Sequence, residues 1–282
     1  MFTLNCRGTL VSIGKPLVMG VLNITPDSFY KGSRVQLENI LQTAENMLAE
    51  GGDILDIGGQ STRPSSEPLD AQAELARVLP AVRAIHGAFP ASIISIDTFF
   101  ATVASQCVES GASMVNDISA GSLDPLMIPT VGRLRVPYIA MHMKGTPQTM
   151  QSQAHYENLV TEITDYFIGK IAACMDAGIT DIIIDPGFGF AKTVEQNFQL
   201  LARLEQLQVF DRPLMAGLSR KSTVYKTLDT TPEEALNGTT VMNTMALMKG
   251  VNILRVHDVK QAREAVELFW KTKNSHRPSG IH

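Results

Sequence analysis

Arg220 and Lys221 stand side by side in "GLSRKSTV", residues 217–224, flanked by Ser219, Ser222 and Thr223. Such a stretch suits neither a buried strand nor the core face of a helix. It suits a place where an anion or an electron-rich ring is held. Other cations recur in short polar motifs: Arg63 in "STRPSS", and Arg255 with His257 in "RVHD". Positions 255 and 257 are two apart, so on a strand their side chains share a face. A guanidinium beside an imidazole is a receptor for phosphate oxygens. A second set is Asp97, Asn116 and Asp185, each at the end of a short apolar run. A carboxylate shielded from water needs donors or stays protonated. The edge of a 2-amino-4-oxo pyrimidine ring supplies two parallel N–H donors, and Asn116 can both give and accept. Asn23 offers an amide oxygen to a hydrated Mg²⁺ whose remaining ligands come from phosphate and water. The structural alternatives are a helix N-cap or salt bridge for each acid, favoured for Asp27 and Asp124, and a pairing of Arg255 with Asp258 or a helix C-terminus.

These residues need a scaffold that brings them together. Short β-rich runs ("PLVMGVLNIT", "DILDIGG", "SIISIDT", "SMVNDIS", "VPYIAMHM", "DIIIDPG", "RPLMAGLS", "NILRVHD") alternate with segments of helical spacing. The strands are nearly continuous in apolar residues, as parallel strands covered on both faces are. Gly111, Gly178 and Gly250 stand where helices would stop. Eight strand–helix units predict an α/β fold, a (β/α)8 TIM barrel over a single domain, residues 1–282; a doubly wound open sheet is the alternative. Residues 1–16 read as an N-terminal β-hairpin able to cap the barrel's N-terminal end. Every strand ends in polar residues, among them Asn23, Asp97, Asn116, Asp117, His142, Asp185, Lys221, Arg255 and His257. In a parallel barrel those ends converge on one mouth.

The chain has 282 residues with a formal charge of -4, and 44% are hydrophobic. That balance carries no basic footprint for nucleic acid. No run approaches the length of a membrane span, and the first residues lack an apolar signal core. Three scattered cysteines form no paired framework, so a reducing cytoplasm is expected. "GFGF" lacks the third glycine of a dinucleotide fingerprint, and no P-loop, HExxH or GxSxG is present. His86 and His155 are expected at the surface, and Met242, Met245 and Met248 in the core.

Taken in order, "MGVLNITPDSF", "GGQSTRP", "ISIDT", "VNDIS", "MHMKGTPQTMQ", "IIIDPGFGF", "SRKS" and "RVHDV" resemble the motif set of dihydropteroate synthases, from about Leu17 to Val259. The resemblance implies a (β/α)8 barrel of the folate pathway. It would join 6-hydroxymethyl-7,8-dihydropterin pyrophosphate to p-aminobenzoate, release pyrophosphate, use Mg²⁺, form a homodimer and be a sulfonamide target. It implies that Asp97, Asn116 and Asp185 hold the pterin edge, with Met141, Gly217 and Lys221 completing that pocket. Asn23, Arg255 and His257 would hold pyrophosphate and Mg²⁺. Arg63 and Ser222 would help form the p-aminobenzoate site, walled by Phe190 and Pro64, and Thr62 would also bind substrate. The catalytic set would be Asp97, Asp185, Lys221, Arg63 and Asn23, with Arg220 bracing its loop. Two positions depart from the family's pattern: Lys31 replaces an aspartate common after "TPDSF", and Gln60 a common glutamate. A methyltransferase barrel sharing the pterin clamp is the alternative, against which "STRP", "SRKS" and "RVHD" speak. Lys31 motivates a third expectation, a pterin-binding homologue that does not catalyse.

Overall fold

The computed structural model describes residues 1–24, 34–60 and 69–275. Strands β1 (Phe2–Cys6) and β2 (Thr9–Ile13) form the expected antiparallel hairpin. Then come β3 (Leu17–Asn23), α1 (Arg34–Ala49), β4 (Ile54–Gly58), α2 (Ala71–Ala88), β5 (Ile93–Asp97), α3 (Ala101–Glu109), β6 (Met114–Asp117) and α4 (Met127–Leu134). The second half is β7 (Tyr138–Met141), α5 (Leu159–Asp176), β8 (Ile182–Asp185), α6 (Val194–Ala202), β9 (Met215–Ala216), the short α7 (Ser222–Tyr225), α8 (Leu236–Met248), β10 (Ile253–Val256) and α9 (Val259–Asn274). The eight strands β3 to β10 are all parallel, in the order β8-β7-β6-β5-β4-β3-β10-β9. A single bridge, Ile184 to Leu214, closes β8 onto β9 and makes the sheet a barrel.

Period-two alternation decides what each strand residue faces. Val18, Leu55, Ile94, Val115, Ala140, Ile184, Ala216 and Leu254 point outward into one apolar layer with the helices. Leu17, Met19, Ile54, Met114, Ile139, Ile183, Met215 and Ile253 point inward at the N-terminal end, and there they pack on Leu4, Cys6 and Ile13 of the hairpin. The hairpin therefore plugs the barrel floor. The backbone N–H of Asn5 fastens it by donating to Asp181 Oδ2 at 2.7 Å, just ahead of β8. Leu4→Ala is expected to cost about 2–5 kcal/mol of stability, as buried leucine truncations do. Urea denaturation should show a lower midpoint while substrate KM stays unchanged; a shifted KM would tie the plug to the mouth.

Gly111, Gly178 and Gly250 follow the ends of α3, α5 and α8 with φ of 129°, 82° and 90°, so the helix stops were read correctly. The methionine expectation needs correction. Met242 is buried, but Met245 is 47% and Met248 74% exposed. Successive steps of three residues fall about 60° short of a full turn, so the series drifts off the core face of α8. His155 is exposed and His86 half-buried, packed against Gly111.

Candidate active site

At the C-terminal end of the barrel the inward positions turn polar. The strand register sets Asn23 beside Gly58, Gly58 beside Asp97, and Asp97 beside Asn116; two strands on, Met141 lies beside Asp185. The inward positions at the strand ends thus include Asn23, Asp97, Asn116, Met141 and Asp185. A glycine at 58 leaves the space between Asn23 and Asp97 open. One layer deeper lies Asp56, fully buried and absent from the sequence-based set. Arg255 ties the layers: its Nε donates to Asp56 Oδ2 and its Nη2 to Asp97 Oδ2, both at 2.6 Å. Asn116 Nδ2 donates to the same Asp56 oxygen at 3.1 Å. Asp56 Oδ1 has no hydrogen-bond partner, which is an acceptor left inside the barrel. Arg255 is thus committed to two inward carboxylates, and Asp258 pairs with Arg220 instead.

Charge and burial compete in this site. Burial pushes the Asp97 carboxyl up to about 7; Arg255 pulls it down, and Asp56 adds to the rise. Burial likewise raises Asp185, against the lowering effect of Lys221 and of the Gly187 N–H, which donates to Asp185 Oδ1 at 2.8 Å. Burial holds the Lys221 ammonium down at about 8, with Asp185 acting to raise it. For Arg255, burial opposes the charge, but Asp56 and Asp97 outweigh it and hold the group above its usual value. A buried site with acids near neutrality and a lysine lowered toward it has the electrostatics of a functional centre.

The loop after β9 aims Lys221. Arg220 adopts a left-handed φ of 53°, a conformation that costs a non-glycine residue about 1 kcal/mol. It is held there by paired bonds to Asp258 (2.8 Å each) and by the carbonyls of Pro232 and Glu233. The turn sends Lys221 inward, where its Nζ donates to the Phe188 carbonyl and lies 4.7 Å above the Phe190 ring. Ser222 begins α7 beside it. Arg220 therefore braces the loop, as expected, and Lys221 faces the mouth. Gly217 lies beside it: a Cβ there would be in ordinary van der Waals contact with Lys221 Nζ, at 3.6 Å.

The loop after β8 is set by Gly187. Its φ is 70°, and a Cβ there would sit 2.1 Å from the His142 carbonyl oxygen, so only glycine fits. Lys192, which sequence reasoning missed, is buried behind this loop. Its Nζ lies 3.0 Å from each of His142 Nδ1, the Gly187 carbonyl and the Phe190 carbonyl, which uses all three donors. Burial lowers Lys192 to about 7 and His142 to about 2, so His142 is a neutral acceptor.

Strand parity corrects the list of polar strand ends. His142 and Asp117 lie at outward positions. Asp117 is buried behind the barrel, accepting from Tyr138 Oη, the Ser119 N–H and Oγ, and the Gly121 N–H. Asp124 accepts from the N–H of Ala101 at the start of α3, the capping role expected of it. Thr62, Arg63, Pro64, Asp27 and Lys31 lie outside the described residues. Gln60 is described: its amide N–H donates to Glu74 Oε2 and its oxygen accepts from the Leu69 N–H, both at 3.3 Å. Glu74 is buried, and burial raises it to about 7. A glutamate at 60 would set a second carboxylate against it; glutamine supplies a donor.

Comparison with known proteins agrees with this geometry. Residues 19–257 match the family model described as "Pterin binding enzyme". The dihydropteroate synthase of Escherichia coli (strain K12) is 40% identical over 269 residues, covering 94% of this chain and 95% of that one. The folic acid synthesis protein fol1 of Schizosaccharomyces pombe is 41% identical over 262 residues; the match covers 90% of this chain and 36% of that longer protein. The crystal structure of the Yersinia pestis dihydropteroate synthase in a sulfonamide drug complex superposes with a TM-score of 0.91 at 39% identity, over 97% of this chain and 100% of that one. The chain belongs to the dihydropteroate synthase family of pterin-binding enzymes.

Proposed function

We propose that the chain catalyses the dihydropteroate synthase reaction, joining 6-hydroxymethyl-7,8-dihydropterin pyrophosphate to p-aminobenzoate with release of pyrophosphate. One observation supports this: Asp97, Asn116 and Asp185 all take inward positions at the C-terminal ends of the strands, where Arg255 bonds to Asp97 and Lys221 acts on Asp185. Buried acids of that kind want N–H donors, and the pterin edge supplies them. Met141 and Gly217 leave and line the slot for the ring. Asn23, His257 and the remaining N–H groups of Arg255 face the leaving group. Phe190 and Ser222, with Thr62, Arg63 and Pro64, form the p-aminobenzoate site.

The reaction is a substitution at the pterin methylene. The C–O bond to pyrophosphate breaks first, and its electron pair leaves with the phosphate. Negative Asp97 and Asp185 stabilise the cationic pterin that remains, while cations at the rim stabilise the departing charge. The aniline nitrogen then attacks the methylene and loses its proton to solvent. The arylamine is nucleophilic when neutral, so no strong base is needed.

Among the described residues no cluster of His, Cys, Asp and Glu could cage a metal. Asn23 offers an amide oxygen at the mouth. That donor set fits Mg²⁺ brought in on substrate phosphates, with water filling its shell. Bound there, Mg²⁺ would neutralise charge on the leaving pyrophosphate.

The chain acts as one catalytic domain, residues 1–282, in the cytoplasm; no described helix is long and apolar enough to cross a membrane. It works as a homodimer through the outer surface of α8 and α9, where Val241, Met245, Met248 and Leu268 are each exposed and Met248 and Leu268 line one groove. Leu268→Arg is expected to convert the dimer to monomer in sedimentation velocity runs, weakening association about 100-fold, as for a central apolar anchor. An unchanged sedimentation coefficient would place the interface elsewhere.

The functional test is pyrophosphate release from dihydropterin pyrophosphate and Mg²⁺, with and without p-aminobenzoate. Release that yields dihydropteroate and is blocked by a sulfonamide is expected. Pterin binding without release would support the non-catalytic alternative and make Lys31 the first residue to revert to aspartate.

A further inference from the structure

The loop after β9 holds a hydroxyl that touches neither the acids nor the cations of the mouth. Ser219 is 5% exposed, and its Oγ makes two contacts with one residue. The backbone N–H of His257 donates to it at 3.2 Å, and His257 Nδ1 lies 3.0 Å away. The backbone bond occupies one lone pair of Oγ and leaves its proton free. That proton has His257 Nδ1 within reach as an acceptor. A neutral imidazole carries one N–H. If Nδ1 accepts from Ser219, the ring proton must sit on Nε2, on the far side of the ring. His257 keeps part of its surface open to solvent. With the other tautomer, Nε2 would turn a lone pair outward, and a lone pair repels a phosphate oxygen.

We propose that Ser219 is a positioning residue that fixes His257 as the Nε2–H tautomer, so that the neutral ring donates a hydrogen bond to the leaving pyrophosphate. This rests on the assignment of His257 to the pyrophosphate. The setting favours the neutral ring. Burial lowers the His257 imidazole, and Arg255, Arg220 and Lys221 lower it further against the opposing effect of Asp258. Around Arg255 stand Asp56 and Asp97, both of which bond to that guanidinium and not to the His257 ring. A neutral ring can help an anion only if its proton faces outward. In the residue order Ser219 reads as one more polar residue of a strand end.

The role has a signature that simple bracing lacks. When His257 is protonated both ring nitrogens are donors, and Ser219 is no longer needed to choose between them. Ser219→Ala should therefore weaken binding of inorganic pyrophosphate only where His257 is neutral. Binding is measured by calorimetry with Mg²⁺ at about pH 8.5 and again below the His257 titration midpoint, which is read from ¹⁵N-histidine spectra. A loss of about tenfold is expected at the high pH and under about twofold at the low pH, matching one hydrogen bond to a charged group. Taking the variant-to-wild-type ratio cancels the titration of pyrophosphate and of the other groups. The same spectra of unmodified protein, with the His257 signals assigned by their loss in His257→Ala, should show Nε2 protonated and Nδ1 bare. An equal loss at both pH values, or a protonated Nδ1 in the neutral wild-type ring, overturns the proposal and leaves the assignment of His257 intact. Unchanged pyrophosphate binding in His257→Ala overturns the assignment and the proposal together.

Discussion

Asp185→Asn is expected to lower kcat/KM by about 10²–10³-fold, equivalent to about 3–4 kcal/mol of transition-state stabilisation. The substitution keeps the shape and an acceptor for the Gly187 N–H, so the loop after β8 should hold its course. What disappears is the negative charge. In the wild type that charge offsets the lowering of Lys221 by burial, and under the proposed assignment it would face the pterin edge. Without it the ring loses a charge-assisted pair of bonds, and the cation formed when pyrophosphate leaves loses its closest counter-charge. Folding should be little affected, because burial penalises the Asp185 charge to begin with. Steady-state kinetics with saturating p-aminobenzoate, beside a thermal melt, decide the matter. Wild-type turnover in a folded variant would remove Asp185 from the reaction.

Arg255→Ala should show its largest effect in stability. Asp56 and Asp97 are its two partners, and Asp56 is fully buried. Removing one member of a buried ionic group typically costs about 3–5 kcal/mol, because the remaining charge has no partner. The deficit must depend on pH. Asp97 in the folded protein is raised by burial from 3.8 to about 7, so the folded state binds more protons than the unfolded one between those values. Stability therefore falls as pH rises through that interval. Arg255 is the group that holds the Asp97 carboxyl down, so without it the value rises and the falling interval extends upward. The deficit of Arg255→Ala should therefore be smallest and nearly constant below about pH 7, and should grow above it through the interval that the loss of Arg255 adds. Urea titrations at several pH values measure it, and a deficit independent of pH would show that Arg255 acts by packing alone. Pyrophosphate affinity should fall as well, since the same side chain offers its remaining N–H groups to the mouth.

Much of this was legible in the residue order. Gly111, Gly178 and Gly250 announced helix ends because a left-handed backbone is cheap only for glycine. Asp97, Asn116 and Asp185 announced themselves by ending apolar runs. Asp56 did not, because it sits inside "ILDIG", where only the strand register says which face is inward. His142 and Asp117 misled for the same reason: a polar residue at a strand end can lie on either side of the barrel. Lys192 reads as an ordinary loop lysine. Its burial depends on His142, 50 positions away in sequence, and on two carbonyls that turn inward only once Gly187 has bent the chain. Met245 and Met248 were misplaced because three-residue spacing imitates a helical face over one turn and leaves it over two.

The closure of the barrel at Ile184 and Leu214 has a mechanical meaning. Seven of the strands are laced by continuous ladders, whereas β9 is two residues long and meets β8 through one bridge. The cylinder behaves as a wrapped sheet held shut by a latch. The latch lies between Asp185 on one side and the loop bearing Ser219, Arg220 and Lys221 on the other. Lys221 donating to the Phe188 carbonyl spans it from above, as a second clasp made of side chain instead of backbone. Asp185 and the loop bearing Lys221 thus stand on either side of the least laced part of the wall, the part where local opening costs least.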